Sequence, residues 1–350
     1  MDKNITMQDI ADFLKLDRTT VSKAISGKGT VSQKTIHRVN QAIEELGYRK
    51  DSFASGLVTG KNTVLAIVLP EIKSGINAPF VQSFQRTARK HHYGVILYYV
   101  EPQGNNLTMI CEMLRQQRVS GVTFWSGATT PKDDDNLIRL LDTGIAVNTT
   151  SRGFIHESID GISFNHSKAG VELTEHLIRL GHRNIVFVSS AASSSQGSPF
   201  ERREGYKQVM QSYGLQPVVI GDAYGPTKPD DYRNLTKHAY HVLEREWENV
   251  KEASAFIGTN DETILGAIHW LKEKNVSIPQ DCSVAGFDDL YAELTIPPLT
   301  SMRFPLGEGG EQAVELLLKR INAKGKRNRT HLLLDYELIK RESTAVYTER

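Results

Sequence analysis

The stretch DRTTVSKAI, residues 17–25, gathers two fixed cations and three hydroxyls on one short segment. Arg18 and Lys23 only donate hydrogen bonds, whereas Thr19, Thr20 and Ser22 both donate and accept. Val21, Ala24 and Ile25 repeat at helical spacing, so Arg18, Thr19, Ser22 and Lys23 fall on the opposite face. An exposed face of this kind suits an acceptor-rich ligand. Arg and Lys donate to guanine O6 and N7, and a threonine methyl meets a thymine methyl. Thr20 and Ser22 are short enough for phosphate oxygens, as are the amides at the helix start. From spacing alone, the competing reading is a small surface helix with a solvated polar face.

The flanking residues supply a frame. Thr6 caps a first helix carrying Met7, Ile10, Ala11 and Leu14, and Asp17 caps the second. Ser32 caps a third with Ile36, Val39, Ile43 and Leu46 on one stripe and Gly47 as its stop. A helix, a short turn and a polar-fronted helix form the layout of a helix-turn-helix, whose second helix enters the major groove. Residues 1–63 hold ten Lys and Arg against seven Asp and Glu, while the whole chain of 350 residues is only +1. A mildly basic front on a near-neutral body fits an anion-binding module joined to something else.

From residue 64 apolar strands alternate with amphipathic helices. Strands are predicted at 64–69, 95–100, 122–125, 145–148, 160–164, 184–189, 217–220, 254–258, 282–287 and 331–339. That alternation argues for doubly wound parallel sheets, and the number of strands argues for two lobes with a cleft between them. The only cysteines, Cys111 and Cys282, form no zinc or disulfide pattern. No metal or cofactor is expected. The N-terminus lacks an apolar leader and no run is long enough to span a bilayer, so a cytoplasmic protein without membrane contact is expected. No GxSxG, HExxH, P-loop or GxGxxG stands in a productive context, which weakens the reading as an α/β sugar-processing enzyme. A solute-binding protein would lack the basic helical head.

Residues 5–48 resemble the DNA-binding head of the lactose/galactose repressor (LacI/GalR) family. ELTEHLIRLGHRNIVFVS (172–189), FERREGYKQVM (200–210), the 255–290 stretch ending in VAGFDDL, PPLTSMRF (297–304) and ELIKREST (337–344) resemble that family's effector domain in the same order. The resemblance implies a homodimeric transcription repressor with an all-α helix-turn-helix head and a two-lobed, periplasmic-binding-protein-like α/β effector domain. Its partners would be a near-palindromic double-stranded DNA operator and a sugar or sugar derivative. It implies a head at 1–50, a hinge at 51–63 and an effector domain at 64–350, with a first lobe of about 64–160 plus 290–322 and a second of about 161–289 plus 323–350. Arg18, Thr19 and Lys23 would read bases, with Thr20 and Ser22 on the backbone; Thr6 joins this DNA-binding set. Ala54 and Leu57 match the hinge's minor-groove pair. Lys15 replaces the usual turn glycine, Lys50-Asp51 replaces Pro-Asn, and Gly56 lies inside the hinge, where it costs roughly 1 kcal/mol against alanine. These departures imply a hinge that folds reluctantly and depends on operator.

In the effector domain, the resemblance places Arg202 and Asp288 against the ligand, a donor and an acceptor suited to a polyol. Asp261 follows a strand and is either a ligand contact or part of a helix cap. Phe80 and Trp125 also follow strand ends and are either cleft aromatics or core. Ser151-Arg152 stands where the family often has Asp-Arg. The retained Arg152 tilts that wall positive, which would suit an anionic effector, such as a sugar phosphate or sugar acid.

Overall fold

A computed structural model of the chain describes residues 5–26, 30–47, 62–70, 75–101, 106–151, 155–189, 197–222, 235–323, 325 and 327–348. The chain divides into two compact units, Met1–Thr63 and Val64–Arg350.

In the first unit, helices α1 (Met7–Leu14), α2 (Arg18–Ser26) and α3 (Gln33–Leu46) enclose Ile10, Ala11, Val21, Ala24, Val39 and Ala42. Local chemistry fixes each boundary. The Thr6 hydroxyl accepts from the Asp9 amide at 3.3 Å, and the Asp9 carboxylate accepts from the Thr6 amide at 2.7 Å, a reciprocal cap. Ser32 caps α3 through the Thr35 amide at 3.2 Å, and Gly47 ends it in the left-handed region. Arg38 donates to the Leu14 carbonyl at 3.3 Å and ties α3 to the end of α1. The turn that launches α2 begins at Lys15, with φ 54° and ψ 48°. A β-carbon makes that conformation cost on the order of 1 kcal/mol.

Among the described residues the second unit holds two six-stranded sheets. The first runs β11-β5-β4-β3-β1-β2 and is parallel throughout. Its strands are β1 (Val64–Leu69), β2 (Gly94–Tyr99), β3 (Gly121–Phe124), β4 (Ala146–Thr150), β5 (Asp160–Phe164) and β11 (His331–Leu334). The second runs β12-β10-β9-β8-β6-β7, with only β12 antiparallel. It comprises β6 (Ile185–Val188), β7 (Val218–Ile220), β8 (Ala255–Gly258), β9 (Ser283–Asp288), β10 (Thr300–Arg303) and β12 (Glu337–Ile339). Helices cover both faces, so central strands such as β1 are buried at every residue.

The chain passes between the sheets after Phe164, after Arg303 and after Leu334. Two expectations change as a result. Residues 331–339 are not one strand: Asp335 and Tyr336 separate β11 in the first sheet from β12 in the second. The lobe boundaries near 160, 290 and 323 also shift. Residues 300–303 stay with the second sheet, and residues 160–164 and 331–334 stay with the first.

Two glycines set the helix packing under the cleft. A β-carbon on Gly170, in helix His166–Arg179, would overlap the Arg202 carbonyl in helix Ser198–Ser212. One on Gly310, in helix Leu306–Ile321, would overlap the Phe80 carbonyl in helix Asn77–Lys90. In each lobe a close backbone approach therefore fixes the position of one residue, Arg202 in the one and Phe80 in the other.

Replacing Lys15 with glycine is predicted to stabilise the head by up to about 1 kcal/mol, and replacing it with valine to destabilise it. Amide exchange at Ile10, Val21 and Val39 reads both changes.

Candidate functional site

In the head, α2 presents the two faces that the sequence implied. Val21 and Ala24 are buried and Ile25 half-buried, while Arg18, Thr19 and Lys23 are exposed. Thr20 and Ser22 are half-buried. The Asp17 carbonyl accepts from the amides of Thr20 and Val21, which starts the helix and leaves its amino end turned outward. Thr6 lies at the start of α1 with its hydroxyl engaged by Asp9 at 2.6 Å. Ala54 and Leu57 lie outside the described residues.

In the body, a cavity of about 670 Å³ opens where the chain passes between the sheets. Trp125, Phe164 and Phe304 give it apolar surface. Trp125 rests on Phe80, with ring centroids 4.3 Å apart, and Phe80 is fully buried beneath it. Of the two aromatics singled out from sequence, one therefore lines the cavity and the other supports it. Hydroxyls come from Ser126, Ser151 and Ser163. The Ser163 hydroxyl is 2.9 Å from His331 Nε2, and Arg329 approaches that ring's other nitrogen at 2.7 Å. Glu201 supplies a carboxyl whose pKa burial raises against the pull of neighbouring Arg202. Arg152 lies outside the described residues, so the positive tilt that it implied has no described counterpart on this wall.

Arg202 and Asp288 do not line the cavity. Both are buried behind it and bind each other, Nη2 to Oδ1, at 2.7 Å. Arg202 also donates to the Thr259 carbonyl at 2.7 Å and the Tyr336 hydroxyl at 2.9 Å, and it lies over the Phe287 ring at 4.8 Å. Burial works against its charge, but Asp288 and Tyr336 more than compensate and hold the guanidinium protonated. Asp288 meets it from φ 97°, a strained conformation for a side-chain-bearing residue. A charge pair so buried loses several kcal/mol when one partner is removed.

Asp261 is neither the helix cap nor a cavity residue. Asn260 caps helix Asp261–Glu273 through the Thr263 amide at 2.9 Å. Asp261 accepts from Ser301 at 2.8 Å and from the Leu290 amide at 3.0 Å, which ties the turn after β9 to β10. Burial, helped by the nearby Asp288 charge, pushes its pKa up to about 7.

Several wall residues were missed by the sequence reading, among them Ser163, Asn165, His166 and Phe304. All flank a point where the chain leaves one sheet for the other. The Asn165-His166 pair directly after DGISF was the available signal, since clefts form beyond the carboxyl ends of parallel strands. Asn165 caps helix His166–Arg179 and donates to Asp335 at 3.0 Å, holding two crossings together.

Residues 6–51 match the bacterial regulatory proteins of the lacI family, and residues 174–344 match the periplasmic binding protein-like domain. The chain belongs to the LacI family of bacterial transcription regulators. Among its relatives, catabolite control protein A of Priestia megaterium is 28% identical over 321 residues, covering 91% of this chain and 93% of the relative. The fold is similar to the lac repressor dimer bound to operator and the anti-inducer ONPF, with TM-score 0.78 and 23% identity over 98% of this chain and 100% of that one. It is also similar to the transcriptional regulator CelR–cellobiose complex, with TM-score 0.66 and 24% identity over 97% and 99%. This LacI-family chain is a DNA-binding transcription regulator. Among the described residues no helix is long and apolar enough to cross a membrane, and no cluster of His, Cys, Asp or Glu is arranged to hold a metal ion.

The raised pKa of Asp261 has a stability consequence. An acid whose folded pKa exceeds its unfolded value holds extra protons in the native state. Its contribution is full below the unfolded value of 3.8 and is lost as pH rises to about 7. Asp261→Asn is therefore predicted to raise the melting temperature at pH 8 more than at pH 5. An equal shift at both pH values would contradict a protonated native Asp261.

Proposed function

We propose that the chain is a cytoplasmic, homodimeric, non-enzymatic repressor whose two heads bind a near-palindromic operator. The observation that carries this reading is α2, with Val21 and Ala24 held inward and Arg18, Thr19 and Lys23 held outward. Arg18, Thr19 and Lys23 read base edges in the major groove, while Thr20, Ser22 and Thr6 contact the backbone. Ala54 and Leu57 take the minor groove, where an inserted Leu57 opens a base step. The lac repressor's dimeric complex with operator supports the assignment. Leu294 and Ile296, 80% and 91% exposed, supply apolar surface of the kind that a second copy covers.

We further propose that the cavity between the lobes holds a neutral carbohydrate. Its volume is that of a small-molecule site, with an aromatic platform in Trp125 and Phe304 and a hydroxylated rim. Glu201 is the one carboxyl or fixed cation among the described wall residues, which favours an uncharged polyol over the phosphate or acid that Arg152 suggested. The cellobiose complex of CelR supports the class. Arg202, Asp288 and Asp261 act from behind the wall, holding its shape.

Duplexes selected from a random pool by the full-length protein should share a near-palindrome. Arg18→Ala or Lys23→Ala should lose about 1–3 kcal/mol on that duplex and relax preference at one position in each half. Affinity should fall steeply with salt. Failure to enrich any sequence would overturn the DNA reading. Calorimetry should show binding of a neutral sugar without gain on phosphorylation; tighter binding of the phosphate would overturn the neutral assignment.

A further inference from the structure

His166 lines the cavity with its Nδ1 2.7 Å from the Tyr336 hydroxyl. That hydroxyl lies 2.9 Å from Arg202 Nη2, which also donates to Asp288 at 2.7 Å. The chemistry of the partners gives this chain one direction. Arginine has no acceptor, so the tyrosine oxygen must accept from it. The tyrosine's single proton then needs an acceptor of its own, and Nδ1 is the one in contact. Were Nδ1 protonated instead, a buried hydroxyl hydrogen would lose its partner, a heavy cost in a dry interior. The imidazole proton therefore resides on Nε2, the nitrogen left for the cavity side. Burial and the Arg202 charge pull the His166 pKa down to about 3, so the ring stays neutral.

We propose that His166 is a specificity-determining contact of the cleft: it presents a permanent Nε2–H donor to an acceptor oxygen of the ligand, and Tyr336 and Arg202 are the positioning residues that keep it so. The inference rests on the ligand-cleft reading above and deepens it. A wall that only donates at this point selects a hydroxyl, ether or carbonyl oxygen there. An ammonium or amide N–H at the same place would meet a donor with no lone pair. The contact also lies among the crossings. Tyr336 stacks on Phe304 with centroids 4.9 Å apart, and Phe304 meets Phe164 edge-on at 4.6 Å. One aromatic comes from each passage between the sheets, so a ligand on His166 touches the segments that must flex when the lobes move.

The stack also supplies a clean variant. Tyr336→Phe keeps the ring on Phe304 and removes only the hydroxyl. Full-length protein labelled with [15N]histidine is examined without ligand, by proton–nitrogen correlation at pH 7, with His166→Asn assigning the signal. The expected wild-type spectrum shows His166 wholly in the Nε2–H form, and Tyr336→Phe converts it to a mixture or to Nδ1–H. A wild-type Nδ1–H or imidazolium form, or a tautomer unmoved by Tyr336→Phe, would overturn the relay. Calorimetry with a panel of neutral sugars including cellobiose and D-ribose tests the contact. For the strongest wild-type binder, His166→Phe should weaken affinity about tenfold or more and Tyr336→Phe several-fold. His166→Asn, which retains an N–H donor, should recover part of the loss. Unchanged affinity in all three variants would overturn the contact. A panel with no binder would count against the carbohydrate reading, and the spectrum would still decide the relay.

Discussion

A guanidinium that cannot release its proton lies fully out of water at Arg202, and much of the body is arranged around that fact. Arginine keeps its charge under any physiological condition, so its surroundings must neutralise it. Asp288 does so from a left-handed backbone position, and Tyr336 and the Thr259 carbonyl take further donors. The close crossing at Gly170 sets the backbone of Arg202 where those groups converge. The cleft wall inherits the result: with the tyrosine proton directed at His166, the wall's polarity is fixed before any ligand arrives.

This arrangement separates recognition from support. Trp125 and the serines offer contact surface, while Phe80, Arg202, Asp288 and Asp261 hold that surface in place from behind. The division suits a regulator better than a catalyst, because occupancy must be converted into movement between lobes. The three passages carry Phe164, Phe304 and Tyr336 into one packed group beside the ligand space. A ligand that prefers one lobe arrangement shifts the population toward it by the difference in its two affinities. The head faces a separate constraint. Its core is small, and it retains a strained Lys15 in the turn that aims α2, so it holds its reading face on little reserve.

Much of this was legible in the sequence because it is local. Thr6, Ser32 and Gly47 marked helix ends through their own hydrogen bonds or backbone freedom, and strand β5 was bounded by its apolar pattern. Lys15 was recognisable as a strained position from the missing glycine. Long-range pairing was not legible. Arg202 and Asp288 stood out as chemically able residues, but 86 positions separate them, and nothing local shows that they satisfy each other. The 331–339 run read as one strand because a short crossing between two sheets keeps the apolar alternation of a single strand. His166 escaped notice because its role depends on a tyrosine 170 residues away.

Cleft occupancy governs the head, and Trp125, in the cleft wall, allows both ends to be followed in one cuvette. Its fluorescence should change as a sugar that binds is added, while the anisotropy of a labelled, selected operator is read in the same titration. The two signals are expected to share one midpoint, with operator affinity changing as the cleft fills. A ligand that saturates the Trp125 signal and leaves operator affinity untouched would contradict it.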